Sequence, residues 1–187
     1  MKKLFIISAA LLIAVTASAQ LKIEAAGNFG GLSNSASSNN PSSSFSKAMK
    51  SGFGFSGGLM YDINLLNNVL FLEPGVKYIL NNMTIKDINE KMQTQWIQVP
   101  LSVGYGSSNG GFEAFLGLYY GRALKQDFEF NKNDFGFNAK IGYAFPVGLG
   151  IFFSYERGFL DLSQVSGYRA FNNLANFGLY FKLGRKE

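Results

Sequence analysis

Cysteine and histidine are both absent from the 187 residues. Without cysteine there are no disulfides, iron–sulfur clusters or thiolate zinc sites. Without histidine the usual general base is gone, and with it His-ligated metals and haem and His-based triads. No catalytic residue, metal ion or cofactor is therefore expected, and the chain is read as a non-enzyme. Charge is also scarce, at 16% of residues against roughly 25% in an ordinary soluble domain. No stretch reaches eighteen consecutive apolar residues, so no transmembrane helix is predicted. What is plentiful is glycine and aromatics, 22 Gly, 19 Phe and 9 Tyr, in a chain that is 47% hydrophobic. A chain this greasy, with no helix to put in lipid, points to another way of crossing a membrane.

The first nineteen residues read as an address. Lys2 and Lys3 are followed by an apolar run at 4–15 (LFIISAALLIAV) and a small-x-small site at Ala17-Ser18-Ala19. These are the three parts of a secretory signal peptide. Twelve helical residues rise only about 18 Å, too short for a hydrocarbon core of about 30 Å. The expected organisation is a signal peptide over 1–19, cut near Ala19, and one domain over 20–187. Without Lys2 and Lys3 the balance is 15 basic against 12 acidic residues, or +3. That is no nucleic-acid signature, and none is expected as a partner.

The dominant hydrophobic period in the remainder is two. Alternation predicts strands at 21–30, 51–62, 69–80, 93–105, 112–121, 135–145, 149–157 and 174–184. Between them lie polar segments at 31–50, 81–92, 122–134 and 158–173, and short turns at 63–68, 106–111 and 146–148. Long and short connections alternate along the whole chain. In an up-and-down barrel this places every long loop at one mouth, with both termini at the other. Eight strands of about this length suit a tilted membrane-spanning sheet. The fold predicted is all-β: an eight-stranded antiparallel up-and-down transmembrane β-barrel with a filled polar lumen. A closed sheet satisfies its backbone polar groups in hydrocarbon and leaves no edge.

The alternation also assigns faces. Leu72, Val99, Leu116 and Ile151 belong to the outward, lipid-facing set. Tyr61, Tyr78, Trp96, Tyr105, Tyr120, Tyr143 and Tyr155, with Phe135 and Phe145, are expected in aromatic girdles near the strand ends. Inward parity places Glu24, Glu73, Glu113 and Glu156 against Lys22, Lys77, Lys140 and Lys182. Eight strands enclose a space just wide enough for side chains to fill. Buried charges must pair, or cost several kcal/mol each. A salt-bridged plug of zero net charge is predicted, with Asn28, Gln98 and Asn138 filling gaps. Inward glycines would make room for the long charged chains. A proton or ion path through the same groups is the competing reading. Apolar residues turned inward would instead mean a soluble, lipocalin-like binding barrel.

Some motifs mislead. Residues 52–57 (GFGFSG) match the dinucleotide-binding glycine pattern, but that pattern needs a strand before it and a helix after it. Here it sits inside an alternating strand. Ser102 and Ser154 have no imidazole to activate them. Pro74 and Pro100 fall within predicted strands, where each removes a ladder hydrogen bond; local bulges are expected.

Residues 71–78 (FLEPGVKY) followed by 96–101 (WIQVPL) resemble the small outer-membrane β-barrel family common in Bacteroidetes, which includes PorT-like proteins. Residues 155–160 (YERGFL) and 177–184 (FGLYFKLG) are similar to its seventh-strand and closing-strand segments. The resemblance covers essentially the whole chain after residue 19. It implies an outer-membrane location with periplasmic termini, and no specific activity. The expected roles are structural, surface-interacting or accessory to secretion, with outer-membrane lipid as a partner and other envelope or secretion proteins met through 31–50 and 158–173. Transport of small or hydrophobic solutes is the alternative.

Overall fold

The structure, a computed structural model, describes residues 19–36, 49–50, 52–66, 69–85, 90–106, 110–126, 131–163 and 168–183. The leader, apart from Ala19, and most of the Ser/Asn tract lie outside these residues. Eight long strands are present: β1 (Ala19–Ala36), β2 (Gly52–Leu66), β3 (Leu70–Ile85), β4 (Glu90–Tyr105), β5 (Gly111–Gln126), β6 (Asn133–Ala144), β7 (Leu149–Gly158) and β8 (Tyr168–Leu183). A two-residue piece, Met49–Lys50, continues the β2 side of the sheet against Ile85 and Thr84. Every neighbouring pair is antiparallel, and β1 pairs with β8 to close the ring. Each long strand therefore has two partners, which a sheet in hydrocarbon requires.

The apolar set faces out. Leu116 is 64% exposed and Val99 49%, whereas Glu73 on the opposite face is 3% exposed. Ile151 is exposed as well, and Leu72 is half-exposed. A barrel with a greasy exterior and a polar interior is the inverse of a soluble binding barrel, so the lipocalin-like alternative is overturned.

The short turns are tight. Val69 N–H donates to Leu66 C=O at 2.9 Å, and Gly148 N–H to Phe145 C=O at 3.0 Å. Gly110, Gly111 and Gly148 adopt positive φ (103°, 122° and 85°), a region costly for any residue with a Cβ. Ala19 and Leu183 both lie at this short-turn rim, Ala19 opposite Ile63 and Leu183 opposite Leu21.

The strands are longer than the alternation predicts. Part of each predicted long loop is strand: β1 runs to Ala36, β3 to Ile85, β4 starts at Glu90 and β5 ends at Gln126. These extensions are polar but still paired, for example Asn82 with Gln93 and Ile85 with Glu90. Side-chain amides tie the extension together, Gln95 Nε2 to Gln93 Oε1 at 3.2 Å and Asn82 Nδ2 to Phe53 C=O at 2.9 Å. Polarity marks where the sheet leaves the apolar band, not where it ends. Pro74 and Pro100 do not produce bulges. The β3–β4 register is the same on both sides of them; that pairing lapses at Gly75–Val76 against Val99–Pro100, and the β2–β3 pairing lapses at Tyr61–Asp62 against Glu73–Pro74. The register shifts lie elsewhere, at Asn64/Leu66 and Gln95/Trp96.

Candidate functional site: a stratified lumen

The inward face of each strand is built from every second residue, so the lumen is a stack of layers contributed by facing strands. Its lower and middle layers form one unbranched alternation of acid and base. Glu24 meets Lys140 at 2.6 Å, Lys140 meets Glu73 at 2.5 Å, and Glu73 meets Lys22 at 2.5 Å. Lys22 then meets Asp62 at 3.1 Å, and Asp62 meets Lys182 at 3.3 Å. Lys182 ends the chain on Glu113. These seven residues come from six strands and tie the ring across its axis. Lys77 pairs separately with Glu156, which also accepts from Asn176 Nδ2 at 3.2 Å. Asn176 donates to Ser154 Oγ as well and accepts from Ser56.

Asp62 and Tyr180 were legible by parity yet absent from the predicted network. Tyr180 donates its hydroxyl to Glu113 at 2.7 Å. Asp134 is a further buried acid, accepting from Tyr119 O–H at 2.8 Å and Asn172 Nδ2 at 3.3 Å. Among the described residues, six inward acids (Glu24, Asp62, Glu73, Glu113, Asp134, Glu156) thus face four inward lysines, where four against four were expected from sequence. Of the expected gap-fillers, Asn28 and Gln98 are buried and Asn138 is half-buried. Asn28 Nδ2 donates to Leu80 C=O, and Asn138 Oδ1 accepts from Ser102.

Two of the inward glycines make room for rings. A Cβ on Gly104 would lie 2.1 Å from the Phe115 ring, and one on Gly150 2.1 Å from the Tyr180 ring. Those rings lie beneath the ammonium groups: Lys22 Nζ is 4.5 Å from the centre of Phe115 and 5.0 Å from that of Tyr180. Lys140 Nζ stands 4.8 Å from Phe115. Cation–π contact thus adds to ion pairing around the buried ammonium groups.

Trp96 is not a girdle residue. It is 7% exposed and packs with Ile79, Ala123, Leu162 and Leu174 inside the long-loop mouth. Its position has the parity of Gln98 and Ser102, so alternation, not aromatic identity, governs its direction. Leu162, fully buried, is carried into the mouth by the segment after β7. Its N–H donates to Ala170 C=O at 2.8 Å and its C=O accepts from Asn131 N–H at 2.9 Å. Asp161 Oδ1 holds the bend by accepting the N–H groups of Ser163 and Ala170. An apolar lid therefore sits over the polar column. The other girdle tyrosines lie on the outer face, Tyr61 half-exposed and Tyr78, Tyr105, Tyr120, Tyr143 and Tyr155 exposed. Tyr143 packs edge-on with Phe145 at 5.3 Å.

A depression of about 440 Å³ lies on the outer wall among Ala25, Gly27, Phe55, Phe177 and Leu179. Its floor is the paired sheet itself, where Ala26 faces both Ser56 and Gly178 in register. Among the described residues, no group of three or more Asp or Glu is arranged to hold a metal ion.

The sequence profile of the outer membrane protein beta-barrel domain matches residues 7–185. The chain belongs to that family. No curated protein matches it significantly. Among solved structures, Neisserial surface protein A (NspA) is similar at 14% identity and TM-score 0.53, over 89% of this chain and 97% of that one. Two structures of Ail from Yersinia pestis also match. One, the attachment invasion locus protein in complex with the heparin analogue sucrose octasulfate, shares 11% identity (TM-score 0.46, 88% and 97% covered). The other, a backbone structure in a phospholipid bilayer nanodisc, shares 15% (TM-score 0.45, 86% and 99% covered). Family and fold together place the barrel in the outer membrane, with lipid around it.

Proposed function

We propose that this outer membrane β-barrel is a non-enzymatic, non-conducting component of the bacterial envelope, of the PorT-like kind, serving as a rigid surface or secretion-accessory scaffold. The observation that carries this reading is the lumen itself: an apolar lid of Trp96, Leu162 and Leu174 over a cross-linked column of lysines and carboxylates. An ion entering it must displace buried salt bridges. In this reading the signal peptide is removed near Ala19, the termini face the periplasm, and the polar strand extensions stand on the cell surface. The asymmetry between tight turns at one rim and paired polar extensions at the other supports that orientation. The segments 31–50 and 158–173 are the contact surfaces proposed for envelope or secretion proteins.

Planar-bilayer recording on the refolded protein tests the central claim. No steady conductance is expected; a large, stable pore would overturn it. Surface proteolysis of intact cells tests the orientation, with cuts expected in 31–50 and 158–173 and none in the short turns. Solute passage through the wall is the weaker reading, because the wall depression is floored by unbroken strand pairing.

A further inference from the structure

Among the described side chains, the exposed charges are all of one sign. Among the described residues, the exposed charged side chains are Arg122, Lys125, Lys132, Arg157 and Arg169. All five lie toward the long-loop end, and none takes part in a salt bridge with a described residue. Of the described acids on that side, Asp134 is buried and Asp161 holds backbone N–H groups.

Two of these arginines sit in the same local arrangement. On β5, Tyr120 and Arg122 point outward two residues apart, and Arg122 faces Asn133 of β6 in register. On β7, Tyr155 and Arg157 point outward two residues apart, and Arg157 faces Asn173 of β8 in register. In both, the tyrosine hydroxyl donates to the asparagine Oδ1, at 2.8 Å for Tyr120–Asn133 and 3.0 Å for Tyr155–Asn173. With Oδ1 occupied, each asparagine is left to present its NH2 beside a guanidinium. The result, twice over, is a guanidinium beside an amide NH2, two donor groups that complement anionic oxygen. Arginine's planar fork suits phosphate in particular.

Between the two clusters lies a patch of rings on the outer face. Phe137 lies 5.9 Å from Phe159 and 6.1 Å from Tyr155, and Phe135 lies 6.2 Å from Phe159. Donors at the rim and apolar rings below them match an amphiphile, with a phosphate above and acyl chains along the wall. A soluble anion would use only half of this surface.

We propose that the paired Tyr-X-Arg/Asn clusters, Tyr120–Arg122–Asn133 and Tyr155–Arg157–Asn173, bind the phosphates of anionic membrane lipid at the long-loop surface. The proposal goes beyond the scaffold reading and does not depend on whether the lumen conducts.

The test is electron spin resonance of spin-labelled lipid around the folded protein in dioleoylphosphatidylcholine vesicles. Two basic side chains near a headgroup correspond to an enrichment on the order of tenfold. Spin-labelled phosphatidic acid is therefore expected in the motionally restricted shell in several-fold preference to spin-labelled phosphatidylcholine. R122Q/R157Q is expected to abolish that preference, and K125Q/R169Q to leave most of it. Millimolar inorganic phosphate is expected not to displace the lipid, because it gains nothing from the rings. Equal restriction of the two lipids overturns the proposal. So does a preference that survives R122Q/R157Q, one lost equally in K125Q/R169Q, which would mean diffuse surface charge, or one erased by free phosphate. Heat-modifiable migration on gels confirms that each variant is folded.

Discussion

Lys22 of β1 and Glu73 of β3 meet at 2.5 Å in the middle of the barrel, 51 residues apart in sequence and on strands separated by β2. Lys22 has no exposed surface, and it also contacts Asp62. A buried ammonium with two carboxylate partners binds three strands together. Removing one partner of such a pair costs far more than the pair itself contributes.

The separate Lys77–Glu156 pair makes that asymmetry measurable. Lys77→Met leaves a buried carboxylate without its cation and is expected to cost about 3–5 kcal/mol. Lys77→Met with Glu156→Leu removes both charges and is expected to recover most of that loss, since Asn176 keeps Ser154 and Ser56 as partners. Urea unfolding in vesicles checks the cycle. A single variant as stable as the parent would mean that the lumen is hydrated.

The lid can be opened at Leu162. Leu162→Ala removes a fully buried side chain from the cluster around Trp96, a change that costs about 2–5 kcal/mol in a packed core. Trp96 is the only tryptophan, so its fluorescence reports the mouth directly. Emission is expected to move to the red and acrylamide quenching to increase. An unchanged spectrum would show that the lid does not pack on the indole.

Glycine substitutions separate the two faces. Gly104→Ala and Gly150→Ala drive a methyl group into the Phe115 and Tyr180 rings, and each is expected to destabilise by about 1–3 kcal/mol. Gly57→Ala on the outer face meets only Glu24 C=O at 3.6 Å and is expected to be tolerated. Thermal loss of the compact gel form ranks the three. Comparable losses in all would refute the ring-seating role.

Lipid contact predicts a depth-dependent penalty. Leu116→Arg, midway along β5, is expected to cost about 2–4 kcal/mol in a bilayer. Val147→Arg, in the short turn, is expected to cost almost nothing. Equal effects at the two sites would contradict an apolar band around Leu116.

Much of the architecture could be read from local pattern. Period-two alternation assigned Glu24, Lys77, Glu113 and Lys140 to one face and Val99, Leu116 and Ile151 to the other, and the structure has them so. It also carried the signals for Asp62 and Tyr180, which share the parity of Gly58 and Gly178. Trp96 departs from the girdle because position along the strand, not residue type, sets the direction of its side chain. The strands outrun the apolar alternation because paired backbone outside lipid needs no apolar side chains.

By itself, the sequence determined that this chain forms strands, that they close into a barrel, and that one face meets hydrocarbon. Those follow from the alternation of side chains along an extended backbone, which is a local property. Tertiary structure alone decided that Lys22 meets Glu73 and Asp62, that Gly104 accommodates Phe115, and that Leu162 caps the column. Such contacts depend on the stagger of strands around the closed ring and on the path of a loop across its mouth. Neither is encoded in any single stretch of the chain.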